Sequence, residues 1–536
     1  MASSPGRRWG TVGLLAATTF LVFMPSLSGD FVYDSRLQVL TDPFLHDAAN
    51  WPAVLSGRVL GMDVLDFNRP AVLASLMLDA AIWGKSPFGY HLTSVLLHVL
   101  NVALVWLLLD RLLVGRTGAS GRDSGLLTPA VIGALVFALH PIVTETVCEP
   151  SYREDLLVAS FTLAALIIAL AIAPSRAPGQ ALDATAESAS GTAWRVAACV
   201  GCALLAIASK ESGVVLPPLL LVAWGLFGRN EPRRFWGLAI GGTALVVVAF
   251  LAARFLLEPA ESRIFGKPIP LGGSLRAALA IQPRILALPR SILWPFNQSA
   301  DYQLSSLDHL PLPRSILILA LLTAALVWGA RHDRRIGLAA AVIVLSILPV
   351  ANLWPIFQPA ADRYLYLPLV GVALIVSSVL DRPSWPEGSP ARRRAVVAAM
   401  ATVALLGGAC IRREAVWHDP VALWQDTLRK APTSFTAAWG LGEALFDAGR
   451  PTEAERLARE AVKLSGGEDG GAWATLAVIV ADQGRMAEAQ SHLSRALAAD
   501  PLLADPDQRV AALVMERPWA ERLKRLLAAK PAAPSP

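Results

Sequence analysis

Charge is what this sequence has least of. Only 17% of its 536 residues are Asp, Glu, Lys or Arg, against about a quarter in soluble domains. Most of the chain therefore cannot be solvated on its outside. Lysine is scarcer still, seven of the 47 basic residues, and no basic cluster interleaved with aromatics offers a nucleic-acid-binding face. Four cysteines in so long a chain exclude a disulfide scaffold. Composition also excludes collagen and intrinsic disorder. What is there is 54% hydrophobic residues, with a mean hydropathy of +0.49. The class left standing is a polytopic membrane protein.

A helix needs about 20 apolar residues to cross the hydrocarbon core. Runs near 9–27, 91–113, 127–141, 156–174, 195–209, 212–228, 236–257, 315–330, 336–353, 364–380 and 395–411 predict an all-α bundle of eleven spans. Two shorter or interrupted stretches, 70–83 and 277–296, read as helices lying at the interface; Arg284 and Arg290 would be costly at bilayer depth. Arginines then sort by side: Arg7 and Arg8, Arg111, Arg176 and Arg195, Arg233 and Arg234, Arg334 and Arg335, and Arg392 to Arg394 all fall on the N-terminal side. The positive-inside rule makes that side cytoplasmic, placing 28–90, 258–313 and everything after 412 outside. Arg7 and Arg8 before an apolar core ending at Ser26-Leu27-Ser28 also fit a signal peptide. Cys148 and Cys410 fall near outer span ends, where they can pair; Cys199 and Cys202 read as core filler.

From about 414 the chain turns charged, Ala-rich and repetitive. Trp439-Gly440-Leu441-Gly442 recurs 34 residues later at Trp473-Ala474-Thr475-Leu476, and Gly449-Arg450 recurs 35 later as Gly484-Arg485. Pro432 and Pro501 close successive units. Period, inter-helix Gly and closing Pro match the tetratricopeptide repeat (TPR). Residues 417–431 read as a half repeat and 506–529 as a capping pair, so 1–413 and 414–536 form a membrane domain and a short α-solenoid. Such a solenoid binds protein partners on its concave face, or serves as a spacer or dimerisation arm.

The outer span ends are not bland. They carry Asp34, His140 and Glu145, Arg153 and Asp155, Lys210 and Glu211, and Arg363. Ionisable groups at membrane depth imply a partner or a cavity. A partly desolvated carboxylate can act as a general base, and clustered cations can hold a phosphate leaving group. A lipid-phosphate-linked donor suits such a site, its tail in a greasy groove and its headgroup among bases. Each residue also has a plainer reading. Lys210 can pair with its neighbour Glu211, Arg363 can snorkel, and His140 before Pro141 can simply end a helix.

The strings Phe31-Val32-Tyr33-Asp34, Asn68-Arg69-Pro70, Trp83-Gly84-Lys85-Ser86-Pro87-Phe88-Gly89-Tyr90-His91, Leu139-His140-Pro141, Ser209-Lys210-Glu211, Asp301-Tyr302 and Arg363-Tyr364-Leu365-Tyr366-Leu367-Pro368 come in an order that resembles the transmembrane-and-TPR O-mannosyltransferases. These belong to the GT-C membrane glycosyltransferase superfamily, and the chain resembles their bacterial relatives along nearly its whole length. The resemblance implies a GT-C-like bundle in a bacterial inner membrane, with the TPR tail outside the cytoplasm. It implies transfer of a sugar from polyprenyl or dolichyl phosphate to a protein Ser/Thr hydroxyl or a glycan, with inversion. Asp34 maps to the catalytic base; Arg153, Lys210 and Arg363 would hold the donor, and His140, Glu145, Asp155 and Glu211 would orient those bases or touch the sugar. The family usually has a second acid after the first, where this chain has Ser35; that departure puts a divalent cation at this loop in doubt. The alternative is a degenerate membrane scaffold whose TPR tail binds protein partners. A secondary transporter ranks below both, because no paired broken helices occupy equivalent positions in two halves.

Overall fold

Three helices in this chain start where a capping side chain precedes a proline. Thr128 accepts from the Val131 N–H ahead of Pro129, Ser389 from Arg392 ahead of Pro390, and Asp419 from Ala422 ahead of Pro420. Each cap satisfies a donor the helix cannot, and proline at the first position sacrifices none. The computed structural model describes residues 5–114, 127–170, 189–228, 233–257, 290–302, 312–351, 358, 360–382, 384–385, 388–507 and 515–529. Among these the chain is helical with no strand.

Helix Pro87–Val114 lies centrally and packs on Pro5–Phe23, Pro129–Leu139 and Arg153–Ala169. Helix Arg153–Ala169 packs on Ala189–Ser209, and that in turn on Arg233–Leu257. On the other flank Tyr366–Leu380 packs on Pro129–Leu139 and Arg334–Ile347. The core packs apolar side chains around buried polar groups; in one such knot Tyr366 OH meets His98 Nδ1 at 2.8 Å and accepts from Asn101 at 3.1 Å. Outward faces leave Leu245, Val248, Leu321 and Leu405 exposed, as lipid-facing surfaces require.

Every expected span contains helix, but the count of eleven is not reproduced. Among the described residues six helices are long and apolar enough to cross a bilayer, seven if the pair Pro129–Leu139 and Pro141–Cys148, bent by 47°, is one span. His140-Pro141 breaks that pair because proline cannot continue the ladder. The stretch 70–83 is indeed a helix, Pro70–Trp83, whereas 277–289 lies outside the described residues. All four cysteines are free, so Cys148 and Cys410 do not pair.

Arg111, Arg195 and Arg335 lie at one end of the bundle. Arg111 and Arg195 donate to the last carbonyls of Arg153–Ala169, and Arg335 reaches Asp381 at 2.6 Å beyond Tyr366–Leu380. Those two helices begin at the opposite end, among Arg153, Glu154 and Arg363.

The solenoid follows as helix pairs Phe435–Asp447 with Pro451–Leu464 and Gly470–Asp482 with Met486–Ala499, preceded by Pro420–Lys430. Gly449 and Gly484 turn each pair at φ +73° and +79°, left-handed values that cost glycine nothing. That explains their recurrence in the sequence. Of the expected capping pair, Arg517–Ala528 is helical and 508–514 lies outside the described residues. The solenoid is docked: Tyr33 stacks on Trp424 (5.1 Å between centroids), Ser434 donates to Asp301, and Lys430 donates to the Gln298 carbonyl. An arm held off as a spacer would show none of these contacts.

Candidate functional site

The first helix delivers the chain into a tight turn. Phe31 and Val32 are buried, which leaves Tyr33 to make the bend at φ +49°, a conformation costly for a residue with a Cβ. Gln358 Nε2 donates to the Tyr33 hydroxyl at 2.9 Å, and the Trp424 stack clamps the ring from the other side. The bend turns Asp34 outward. Its side chain is exposed while Ser35, Tyr152, Glu145 and Arg363 around it are buried.

Tyr152 OH donates to Asp34 Oδ2 at 2.9 Å, and the Arg363 guanidinium lies over the Tyr152 ring at 3.9 Å. The enclosing protein pushes the Asp34 carboxyl above the ordinary aspartate range. Arg363 and the Tyr152 hydrogen bond pull it back, and Glu154 and Glu145 push it up again. An accessible carboxylate with raised basicity is what a general base needs.

The other expected site residues separate into two groups. Arg363 pairs with Glu145 through its guanidinium and its backbone N–H, and also donates to Gln358. Lys210 reaches Glu154 at 2.9 Å and Asp155 at 2.6 Å, under the Tyr364 ring. It does not pair with Glu211, which is held instead by Arg254 at 2.9 Å, by Arg69 at 3.4 Å and by Asn68. Lys210 and its Glu154 partner also join Arg69 and Asp66. Asp34, Glu145, Asp155, Lys210 and Arg363 are thus one electrostatic neighbourhood. Glu211 is its outer edge.

Arg153 and His140 stand apart from that group. Arg153 is 0% exposed. Its guanidinium is consumed by Asp79 at 2.6 Å, Ser75 Oγ at 3.0 Å and the Tyr90 carbonyl at 3.0 Å. A phosphate has no access to it, because it bolts helix Pro70–Trp83 to the bundle. His140 accepts from the Ile142 N–H at Nδ1, so Nε2 carries the proton and donates to the Ile292 carbonyl at 2.9 Å. Both nitrogens are spent on backbone, and His140 is a helix-end residue rather than a substrate contact.

Sequence reading missed Arg69, Tyr152 and Glu149. Arg69 stood inside a quoted string without a role, and Tyr152 is invisible as a partner until the fold brings it to Asp34. Glu149 is the more informative omission. Ser35 N–H donates to Glu149 Oε1 at 3.0 Å, and the Ser35 and Ser151 hydroxyls donate to the same oxygen. Glu149 is 0% exposed with no base paired to it among the described residues. Burial drives its carboxyl up to about 8, against the opposing pull of the two serines. An acid from another loop, Glu149, therefore lies directly against Ser35. Ser35→Asp should set a second carboxylate against Glu149 and cost about 2 kcal/mol of stability. Thermal unfolding checks this, and Ser35→Asp with Glu149→Gln should recover most of the loss.

Among the described residues no group of three His, Cys, Asp or Glu side chains is arranged to hold a metal ion. The acids here are instead met by Arg69, Lys210, Arg254 and Arg363. The donor set does not fit a divalent cation.

Tetratricopeptide-repeat family models match residues 420–469 and 445–514. A protein O-mannosyl-transferase of Caenorhabditis elegans is 22% identical, over 84% of this chain and 62% of its own length. One of Drosophila melanogaster is 25% identical over 74% and 48%, and one of Homo sapiens 23% over 83% and 65%. The chain thus spans less than two thirds of these curated relatives. Among solved structures, ArnT from Cupriavidus metallidurans bound to undecaprenyl phosphate aligns over 97% of this chain and 88% of its own, at 14% identity and a TM-score of 0.41. The apo oligosaccharyltransferase of Archaeoglobus fulgidus aligns over 80% and 58%, at 14% and 0.43.

Proposed function

We propose that this chain, a relative of the transmembrane-and-TPR O-mannosyltransferase-like proteins, moves a sugar from a polyprenyl-phosphate donor to a protein hydroxyl at the membrane face bearing Asp34. Two observations support the reading. Residues of a multi-pass helical body resemble named O-mannosyl-transferases along most of the chain. Among the described residues Asp34 is the exposed carboxylate of its neighbourhood and sits on a strained turn near Arg363, and this second observation carries the proposal.

In the reaction, Asp34 takes the proton as the acceptor oxygen attacks the anomeric carbon. The bond from that carbon to the phosphate oxygen breaks, polyprenyl phosphate leaves, and the configuration inverts. Arg363 and Lys210 neutralise the leaving phosphate by exchanging carboxylate partners, Glu145 for one and Glu154 with Asp155 for the other. Arg69 takes up the Glu154 charge so released. The apolar bundle holds the lipid tail, and the docked solenoid brings the protein acceptor. Arg111, Arg195 and Arg335 at the opposite end support an extracytoplasmic side for Asp34 under the positive-inside rule, as in a bacterial inner membrane. A scaffold without catalysis is the second reading, favoured by the fact that Lys210 and Arg363 already carry carboxylate partners.

The test is transfer from polyprenyl-phosphate mannose to a Ser/Thr peptide by purified protein in nanodiscs, read by mass. Only ionised Asp34 is a base, so the rate should rise with pH through its carboxyl titration. Tyr152→Phe removes a hydrogen bond that favours the ionised form, so the limb should move to higher pH, slowing transfer about three- to tenfold below it. A peptide that gains no hexose under any of these conditions would leave the scaffold reading in place.

A further inference from the structure

The concave face of the solenoid closes over a cavity of about 300 Å³ that touches the catalytic turn, the size of the smallest ligand pockets. Trp424, Trp439 and Trp519 supply its aromatic walls, and Leu37, three residues beyond Asp34, supplies its floor. Trp424 is also the ring on which Tyr33 stacks. A chain segment seated here therefore lies beside the turn that carries Asp34.

The cavity is acidic as well as aromatic. Glu443 and Glu516 line it. Arg36 is spent: it holds Glu516 through two bonds of 2.7 and 2.8 Å and reaches Asp447 at 3.0 Å. Arg522 holds the other Asp447 oxygen at 2.7 Å and packs on the Trp519 ring. Three carboxylates thus face two guanidiniums, and Glu443 is the one left over. Its Oε1 accepts from Trp439 Nε1 and Thr475 Oγ1, both at 2.9 Å. Among the described residues no base lies within ion-pair distance of it and no donor reaches Oε2. Burial, with Glu516 close by, pushes the Glu443 carboxyl up to about 7.

We infer that this cavity takes a lysine or arginine side chain of the acceptor polypeptide, its cation paired with Glu443 and boxed by the three tryptophans. A desolvated cation against aromatic faces and a carboxylate gains from both. The inference rests on the transferase reading for the word acceptor. It makes the protein selective for hydroxyls lying close in sequence to a basic residue.

Full-length protein carrying Asp34→Asn, in nanodiscs, is titrated with a fluorescein-labelled Ala-Ser-Thr peptide bearing one central Lys, with its Nε-acetyl-Lys form, and with a Glu counterpart. The Lys peptide should bind at least about tenfold more tightly than the acetylated one, the gain of a paired, desolvated cation. Glu443→Gln keeps the Trp439 and Thr475 hydrogen bonds and should shrink that preference to less than about threefold, and Trp519→Leu should weaken it too. Equal binding of Lys and acetyl-Lys peptides, or an unchanged preference in a folded Glu443→Gln protein, overturns the inference. Because binding is read without turnover, the two readings fail separately. A Lys preference without sugar transfer by the unsubstituted protein removes the transferase and keeps the pocket; transfer without a Lys preference does the reverse.

Discussion

Asp34→Asn is expected to lower sugar transfer about 10²- to 10⁴-fold, the usual contribution of a positioned general base. The substitution is nearly isosteric and Asp34 is exposed, so unfolding temperature and peptide binding should stay within error of the unsubstituted protein. Asn can still accept the Tyr152 hydroxyl through its carbonyl oxygen, so the turn keeps its partner. What it loses is the capacity to take a proton. The measurement is the initial rate on a Ser/Thr peptide at saturating donor, with circular dichroism as the control for folding. A rate within threefold of the unsubstituted protein would remove Asp34 from the chemistry and leave the scaffold as the better reading. Glu149 is then the acid to test next, since it lies beside the same turn through Ser35. Its burial and raised carboxyl suit a group that holds a proton rather than one that collects it from substrate.

Arg153→Met should be the most destabilising single change at this end of the bundle, at about 3–5 kcal/mol. Removing the guanidinium leaves Asp79, itself 3% exposed, as an uncompensated buried charge, and orphans the Ser75 and Tyr90 oxygens as well. Thermal unfolding of the purified protein reads the loss directly. The double substitution Arg153→Met with Asp79→Leu should recover most of it, because a buried ion pair replaced whole by apolar groups is near neutral. The result separates two roles for this residue. A donor-phosphate ligand would, on substitution, raise the KM for the lipid donor at unchanged unfolding temperature. The bolt between helix Pro70–Trp83 and the bundle lowers the unfolding temperature, with transfer falling only as folded protein is lost.

Arg153 also marks where reading residues along a chain stops working. Its position at an outer helix end is legible, since a base beside Glu154 and Asp155 interrupts an apolar run. Which acid it meets is not, because Asp79 lies more than 70 positions away on another helix. Lys210 teaches the same lesson in reverse. Adjacency suggests Glu211 as its partner, yet the extended backbone at Lys210 sends neighbouring side chains apart and aims it at Glu154 and Asp155. The length of individual spans is a third case. Hydropathy marks the apolar run, but capping and proline decide where the helix ends, so 127–141 becomes a bent pair instead of one rod.

The sequence by itself determined what depends on local pattern. Long apolar runs demand bilayer burial, and a glycine recurring where φ must be positive sets the repeat period. The tertiary structure alone decided which charges cancel. It made Arg153 a bolt and His140 a helix end, set Glu149 against Ser35, and left Glu443 without an ion-pair partner among the described residues. Pairing energies depend on distance and burial in three dimensions. Neither quantity is written along a chain whose interacting charges lie tens to hundreds of residues apart.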